Sequence, residues 1–435
     1  MNTIILAVRA HRFLIAGVVG VVVTLFTVGA IVLGRPAPDQ PRSSIAPDPA
    51  SVRYRYAGSP VREDRDDTIV ALEERLKTIA SPMYEAAELA DLYYQRAQEA
   101  GDARDYDAAE AMANRSLALV RRPNSALLTL AKLHNARHQF REAIALANEH
   151  MSANPTSAGY LVLATAHLAL GELSEASEAA NAALAQQPDC NGYLMRALVL
   201  QAQGRDDEAA YDFARAAAIE PHGDPTGAAR LRALWGRFLT SRGELAGARL
   251  VLDEALRIAP GQALALAQRG ELALRSGELA RAEALFEQAF AASRQVRYLI
   301  DEARAKELAG DRTGADALRA QVETIVRGEL ADRGLGHRLD LVEILVDRGN
   351  ANGLAEALGL ARAEVAARPS ALARFHHARV LAAMGDQDDA LAEIEKVLAT
   401  GAREPRFYAL AATLESRRGN ASRAALFARL AKGVR

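Results

Sequence analysis

Apolar and polar positions along the chain fall into three regimes. From Phe13 to Gly34 the apolar pattern is unbroken, and the stretch FLIAGVVGVVVTLFTVGAIVLG carries no charge. A membrane-crossing helix needs about 20 such residues, and in lipid the backbone must satisfy itself, so the β-branched content is no obstacle. From residue 35 to 66 the pattern vanishes, with Pro36, Pro38, Pro41, Pro47, Pro49 and Pro60 scattered among charges. Such a composition cannot bury a core and predicts an extended linker. From Asp67 onward apolar residues recur at intervals of three and four. Ile69, Leu72, Leu76 and Ile79 fall on one helical face, which predicts an amphipathic helix over 67–80.

Past Ser81 this spacing recurs in blocks that resemble one another. Asn124–Pro155 reads NSALLTLAKLHNARHQFREAIALANEHMSANP, Ser157–Pro188 reads SAGYLVLATAHLALGELSEASEAANAALAQQP, and Cys190–Pro221 follows suit. The closing prolines are evenly spaced, the step from Pro155 to Pro188 equalling that from Pro188 to Pro221. Each block predicts two helices. Gly171 and Gly204 supply the φ > 0 that a tight turn requires, and the proline stops the second helix. The turns GELSEA, GELAGA and GELARA, beginning at Gly171, Gly243 and Gly277, are nearly one sentence repeated. Small residues such as Ala164 and Ala176 are placed where the two helices of a block touch.

A repeat of about 34 residues with two helices per unit resembles the tetratricopeptide repeat. With the N-terminal apolar stretch, the layout is similar to membrane-anchored bacterial members of that family. The match covers nearly everything from 81 to 435 and is clearest over 124–293 and 371–432. It weakens over 294–352, and Arg338–Pro369 lacks a turn glycine at the usual place. The interval Pro221–Pro260 is longer than the steps before it, the excess being 222–227. The resemblance implies an all-α fold, a right-handed superhelical solenoid of about ten antiparallel helix pairs, preceded here by one transmembrane helix. It also implies a protein-interaction scaffold whose partner lies in the concave groove, lined by the first helix of each pair. Carried onto this chain, that lining comprises Leu128, Leu161, Leu168, Leu194 and Leu198, then Arg230, Arg237, Arg297, Arg304 and Arg379, with Phe375 and Arg406 beyond. The groove would begin apolar and become basic, suiting a protein or peptide with an apolar stretch and an acidic end.

Composition narrows the chemistry. Aromatic residues are 5% of the chain, and a net charge of −2 gives no bulk reason to expect nucleic-acid binding. Cys190 is the single cysteine, so an intrachain disulfide or a thiolate metal cage is excluded. No phosphate-loop, dinucleotide, metalloprotease, nucleophile-elbow or haem-attachment motif occurs, and the expectation is a non-enzyme without cofactor or bound metal. One alternative is a metal- or haem-handling envelope protein using His134, His138, His150 and His167, which recur on neighbouring predicted helices.

Arg9 and Arg12 precede the apolar stretch, and Arg35, Arg42 and Arg53 follow it. The count of positive charges does not decide orientation. The short residue 1–12 tail before a long apolar core resembles an export signal that stays uncleaved. The expectation is therefore a single-pass protein of the cell inner membrane with its solenoid in the periplasm.

Overall fold

The computed structural model of the chain describes residues 45–56, 61–100, 102–120, 124–153, 155–333 and 337–432. The stretch 13–34 expected to cross the membrane lies outside the described residues. Among the described residues no helix is long and apolar enough to do so.

All regular structure among the described residues is helical. A single turn, α1 (Pro49–Val52), and a longer helix, α2 (Val61–Thr78), precede ten antiparallel pairs. The first five pairs are α3–α4 (Met83–Ala100, Ala103–Leu119), α5–α6 (Ser125–Ala136, Phe140–Ala153), α7–α8 (Ser157–Leu170, Leu173–Gln186), α9–α10 (Cys190–Ala202, Asp206–Ala218) and α11–α12 (Pro225–Ser241, Leu245–Ile258). The second five are α13–α14 (Ala263–Arg275, Leu279–Ser293), α15–α16 (Val296–Leu308, Arg312–Arg333), α17–α18 (Arg338–Arg348, Ala351–Ala367), α19–α20 (Ala371–Met384, Gln387–Ala399) and α21–α22 (Pro405–Arg417, Ala421–Ala431). The first helix of most pairs also packs on the first helix of the next, whereas second helices do not pack on one another to a comparable degree. First helices therefore form a continuous inner wall and second helices an outer one.

Local chemistry sets each boundary. Asn124, Thr156, Asp189, Asp224 and Ser370 cap first helices by accepting from an amide in the opening turn. Gly171, Gly243 and Gly277 turn the chain at φ 80°, 79° and 77°. In α17–α18 Gly349 does so at φ 68°, supplying the turn glycine that its sequence register obscured. In α5–α6 no glycine is present, and His138 takes φ 60° instead, a conformation costing a non-glycine residue about 1–2 kcal/mol. Within pairs the small positions let helices close up. Ala164 and Ala176 have no exposed surface, and a Cβ on Gly236 would stand 2.5 Å from the Leu252 side chain.

Residues 45–56 depart from the expected linker. Ile45, Val52 and Tyr54 are 4%, 1% and 4% exposed, and the segment lies as a strap against the outer helices α10 and α12. Its backbone is held by side chains of the array. Glu254 accepts from the Tyr54 amide at 2.7 Å, and Arg232 Nε donates to the Val52 carbonyl at 2.6 Å. Fully buried Arg232 also makes a two-pronged contact with Glu220, at 2.7 and 2.9 Å. Tyr56 stacks on His222, ring centroids 3.6 Å apart. The 222–227 insertion thus widens the step between two repeats and meets the end of the strap through His222. Pro-rich composition signals that a segment cannot form its own core; it leaves open docking on another one.

The superhelix also closes on itself. Turns within early pairs meet linkers between pairs roughly six repeats later. Arg368 reaches His138 and lies over Phe140, 5.4 Å from the ring centroid. Gly171 faces Ser370, and a Cβ on Gly204 would overlap the Gly401 carbonyl. Asp206 joins this seam to two arginines, Arg242 at 2.8 Å and Arg403 at 3.2 Å, while Arg242 donates to the Arg403 carbonyl at 2.5 Å.

Candidate partner-binding interior

The seam brings early turns against later linkers, and the groove residues predicted from sequence divide into three groups. Leu128 is 6% exposed and packs in the core around Ala164 and Ala176, where it offers no surface to a partner, because its side chain fills the space between helices. Leu161, Leu168, Leu194 and Leu198 are half-buried on α7 and α9, each with part of its surface open.

Three of the five arginines are neutralised by acids of the array. Arg297 bridges Asp301 at 2.8 Å and Glu343 at 2.7 Å. Arg304 meets Glu271 at 3.2 Å, and Arg379 meets Asp347 at 2.8 Å. The pairing is deep enough to govern protonation. Burial alone would push the Glu343 carboxyl up, but Arg297, His376 and Arg379 together hold it well below the usual range. Burial pushes Asp301 up, and Arg297 offsets only part of that. Sequence reasoning placed Glu271 on the groove and missed Asp301, Glu343 and Asp347. They stand on first helices, as the arginines do, and several of the pairings cross from one repeat to the next.

Arg230 and Arg237 behave differently, and Arg406 joins them. All three are exposed and none has a carboxylate within ion-pair distance among the described residues. For Arg237 and Arg406, burial is nonetheless the largest influence and lowers the guanidinium pKa, with Glu404 only partly compensating. Arg237 on α11 and Arg406 on α21 sense the same Glu404, which places them around one interior. Arg230 acts electrostatically on Tyr94 of α3, a phenol pushed up by burial. Arg406 also lies over Phe375 and Phe407, at 5.4 and 5.6 Å. Arginine keeps its charge under such shifts, so these side chains present cations without a carboxylate at ion-pair distance among the described residues.

The four histidines of the alternative reading are dispersed. His150 Nδ1 contacts the Asn124 carbonyl at 3.1 Å and His167 Nδ1 contacts Glu172 at 2.7 Å. His138 belongs to the seam, and Nδ1 of His134 is buried without a partner. No group of three or more metal-ligating side chains is assembled among the described residues.

Residues 102–183 match the sequence model of a family described as anaphase-promoting complex, cyclosome, subunit 3. Among curated proteins no sequence matches the chain. Solved structures with similar folds include the APC/C hetero-tetramer Cut9–Hcn1, at 12% identity over 81% of this chain and 59% of that one, TM-score 0.47. The human IFIT1 dimer with PPP-AAAA aligns at 13% identity over 87% and 95%, TM-score 0.46. A tetratricopeptide repeat protein from Parabacteroides merdae aligns at 16% identity over 56% and 92%, TM-score 0.40. The chain spans about three fifths of the first of these, at 59% of its length. The family match is confined to residues 102–183, and antiparallel helix pairs continue on both sides of it among the described residues.

Proposed function

We propose that this protein is a membrane-tethered scaffold of the cell envelope whose interior takes an acidic segment of a protein partner. Residues 13–34 are the tether, the anchor stays uncleaved in the inner membrane, and the solenoid lies in the periplasm. The reading rests on one observation above others: Arg237 and Arg406 stand exposed on first helices with no carboxylate within ion-pair distance among the described residues. Exposed guanidiniums without a paired acid are free to take up a partner's counter-charge. Acidic side chains or a terminal carboxylate would supply it through the bidentate geometry that guanidinium favours. Half-buried Leu161, Leu168, Leu194 and Leu198 add apolar surface for the remainder of the segment.

The experiment is affinity capture of the full chain from detergent-solubilised membranes, beside a variant carrying Arg237→Glu and Arg406→Glu. A partner retained by the native protein, released by moderate salt and absent from the variant is the expected result. Retention by the variant overturns the interior as the binding surface. A reporter fused after Arg435 that is active only outside the cytoplasm tests the topology, and inactivity there overturns the periplasmic placement.

A further inference from the structure

The strap carries a second basic feature, on the outer surface and separate from the interior. A cavity of about 660 Å³ is lined by Ala50, Arg53, Tyr54, Arg55, Tyr56 and Arg257. Along extended backbone, alternate side chains point to opposite faces. Tyr54 is 4% exposed and points into the array, and Arg53 and Arg55 on either side of it are exposed. Neither arginine has a hydrogen-bond or ion-pair partner among the described residues. Arg257 is paired with Glu254 at 2.6 and 2.7 Å, and Glu254 also accepts from the Tyr54 amide. Asp48 caps α1 by accepting from the Ala50 amide. The lining thus holds two free guanidiniums and one spoken-for guanidinium on a backbone fixed at both sides.

We propose that this cavity binds the phosphate group of an anionic phospholipid. Two forked guanidiniums free of partners suit a phosphate oxygen cluster, which arginine recognises through paired N–H donors. The assignment to lipid rests on the tether proposed above. Residues 35–44 separate the apolar stretch from Ile45, and ten residues span at most about 35 Å. The strap is therefore kept near the membrane surface, where phosphodiesters are abundant. A zwitterionic headgroup carries its own cation, which Arg53 and Arg55 would repel, so selection is for net negative lipid. Occupation would fix which outer face of the solenoid lies against the bilayer, and hence how the interior is presented.

The test uses the full chain in neutral detergent micelles, titrated calorimetrically with dihexanoyl phosphatidylglycerol, dihexanoyl phosphatidylcholine and inorganic phosphate. The variant is Arg53→Gln with Arg55→Gln; both side chains are exposed and unpaired, and unchanged amide exchange over 45–56 verifies that the strap remains seated. Saturable binding of the glycerol lipid, at least tenfold weaker binding of the choline lipid and at least tenfold loss in the variant are expected. Equal binding by the variant, or equal binding of the two lipids, overturns the proposal. Inorganic phosphate binding as tightly as the glycerol lipid makes free phosphate the ligand and overturns the lipid assignment. Detergent phase partitioning of the same chain reports the tether independently: recovery in the aqueous phase sinks the tether while leaving the measured cavity affinities standing.

Discussion

Arg368 donates a hydrogen bond to Nδ1 of His138 at 2.8 Å, across 230 positions of sequence. A donor facing Nδ1 requires that nitrogen to be unprotonated, so the closed seam and a neutral His138 go together. Burial lowers the His138 pKa to about 4, with further lowering from Arg368 and His337 and partial opposition from Asp340. A group depressed on closing stabilises the closed form above its ordinary value, near 6.5. That contribution is lost as pH falls from there toward about 4. The ring is partly exposed, so solvent discounts the effect. His337, 6.5 Å away and raised by its hydrogen bond to Asp340, works in the opposite sense, its contribution being full in acid and lost as pH rises through its folded value. We predict lower protection factors, with the intrinsic pH dependence of amide exchange divided out, around Phe140 and Ser370 at pH 5 than at pH 7. His138→Asn should remove most of that pH dependence, since asparagine tolerates the left-handed backbone and does not titrate. Identical pH dependence in the variant would assign the effect elsewhere.

Two glycines with nearly the same φ separate turn strain from seam contact. Gly204, at φ 72°, has the Gly401 carbonyl where a Cβ would go, whereas Gly277, at φ 77°, has nothing within 4 Å. Gly277→Ala should cost about 1 kcal/mol of left-handed strain alone. Gly204→Ala should cost that and open the seam, lowering the urea midpoint further and exposing 401–403 to exchange. Equal midpoints would mean that the seam contributes nothing to stability.

Pairs, turns and stops were legible because each depends on residues close in sequence. Gly171, Ala176 and Pro188 would predict the same hairpin in any context. The seam was not legible, because closure sums small rotations over about six repeats and leaves no local mark on His138 or Arg368. Asp206 stands in the first turn of α10, where a local pattern accounts for it, but it also holds Arg242 and Arg403. The strap was hidden for a related reason. Ile45, Val52 and Tyr54 have no helical or strand period, and their partners lie near 232 and 254. In the interior, residue type was legible while availability was not, since whether an arginine is free depends on which acids the neighbouring repeat presents.

The strap should depend on Arg232. Replacing it by alanine leaves Glu220 buried without its cation and the Val52 carbonyl without its donor. Breaking a buried pair from one side costs about 3–5 kcal/mol. Limited proteolysis should then cut within 45–56 before the array unfolds. Arg232→Met combined with Glu220→Leu should recover much of the stability while leaving the strap looser, because no donor faces Val52. Protection of 45–56 in the alanine variant would show that Tyr54 and Tyr56 suffice to hold it.

The sharpest test compares two interior arginines that sequence alone could not tell apart. Arg297 neutralises Asp301 and Glu343, and Arg237 neutralises nothing within ion-pair distance. Arg297→Ala strands two acids in a poorly solvated setting. The expected cost at pH 7 is about 2 kcal/mol, below the fully buried range because 35% of the Arg297 side chain meets water. Its pH dependence has a definite sign. In the native protein Glu343 is held below its ordinary pKa, so its contribution is present above about 4.5 and is lost in acid. Without Arg297, burial dominates and Glu343 is easier to protonate, so the stability gap between variant and native protein should narrow as pH falls from 7 toward 4. Arg237→Ala orphans no partner and removes an exposed cation, so its stability should change by less than about 0.5 kcal/mol, with no comparable pH trend. Chemical unfolding at pH 7 and pH 4.5 distinguishes these outcomes, and partner capture should show the reverse order, with Arg237→Ala the more damaging. A destabilised Arg237→Ala protein that still retains its partner would move Arg237 into the structural group and leave the proposed interior site without its main cation.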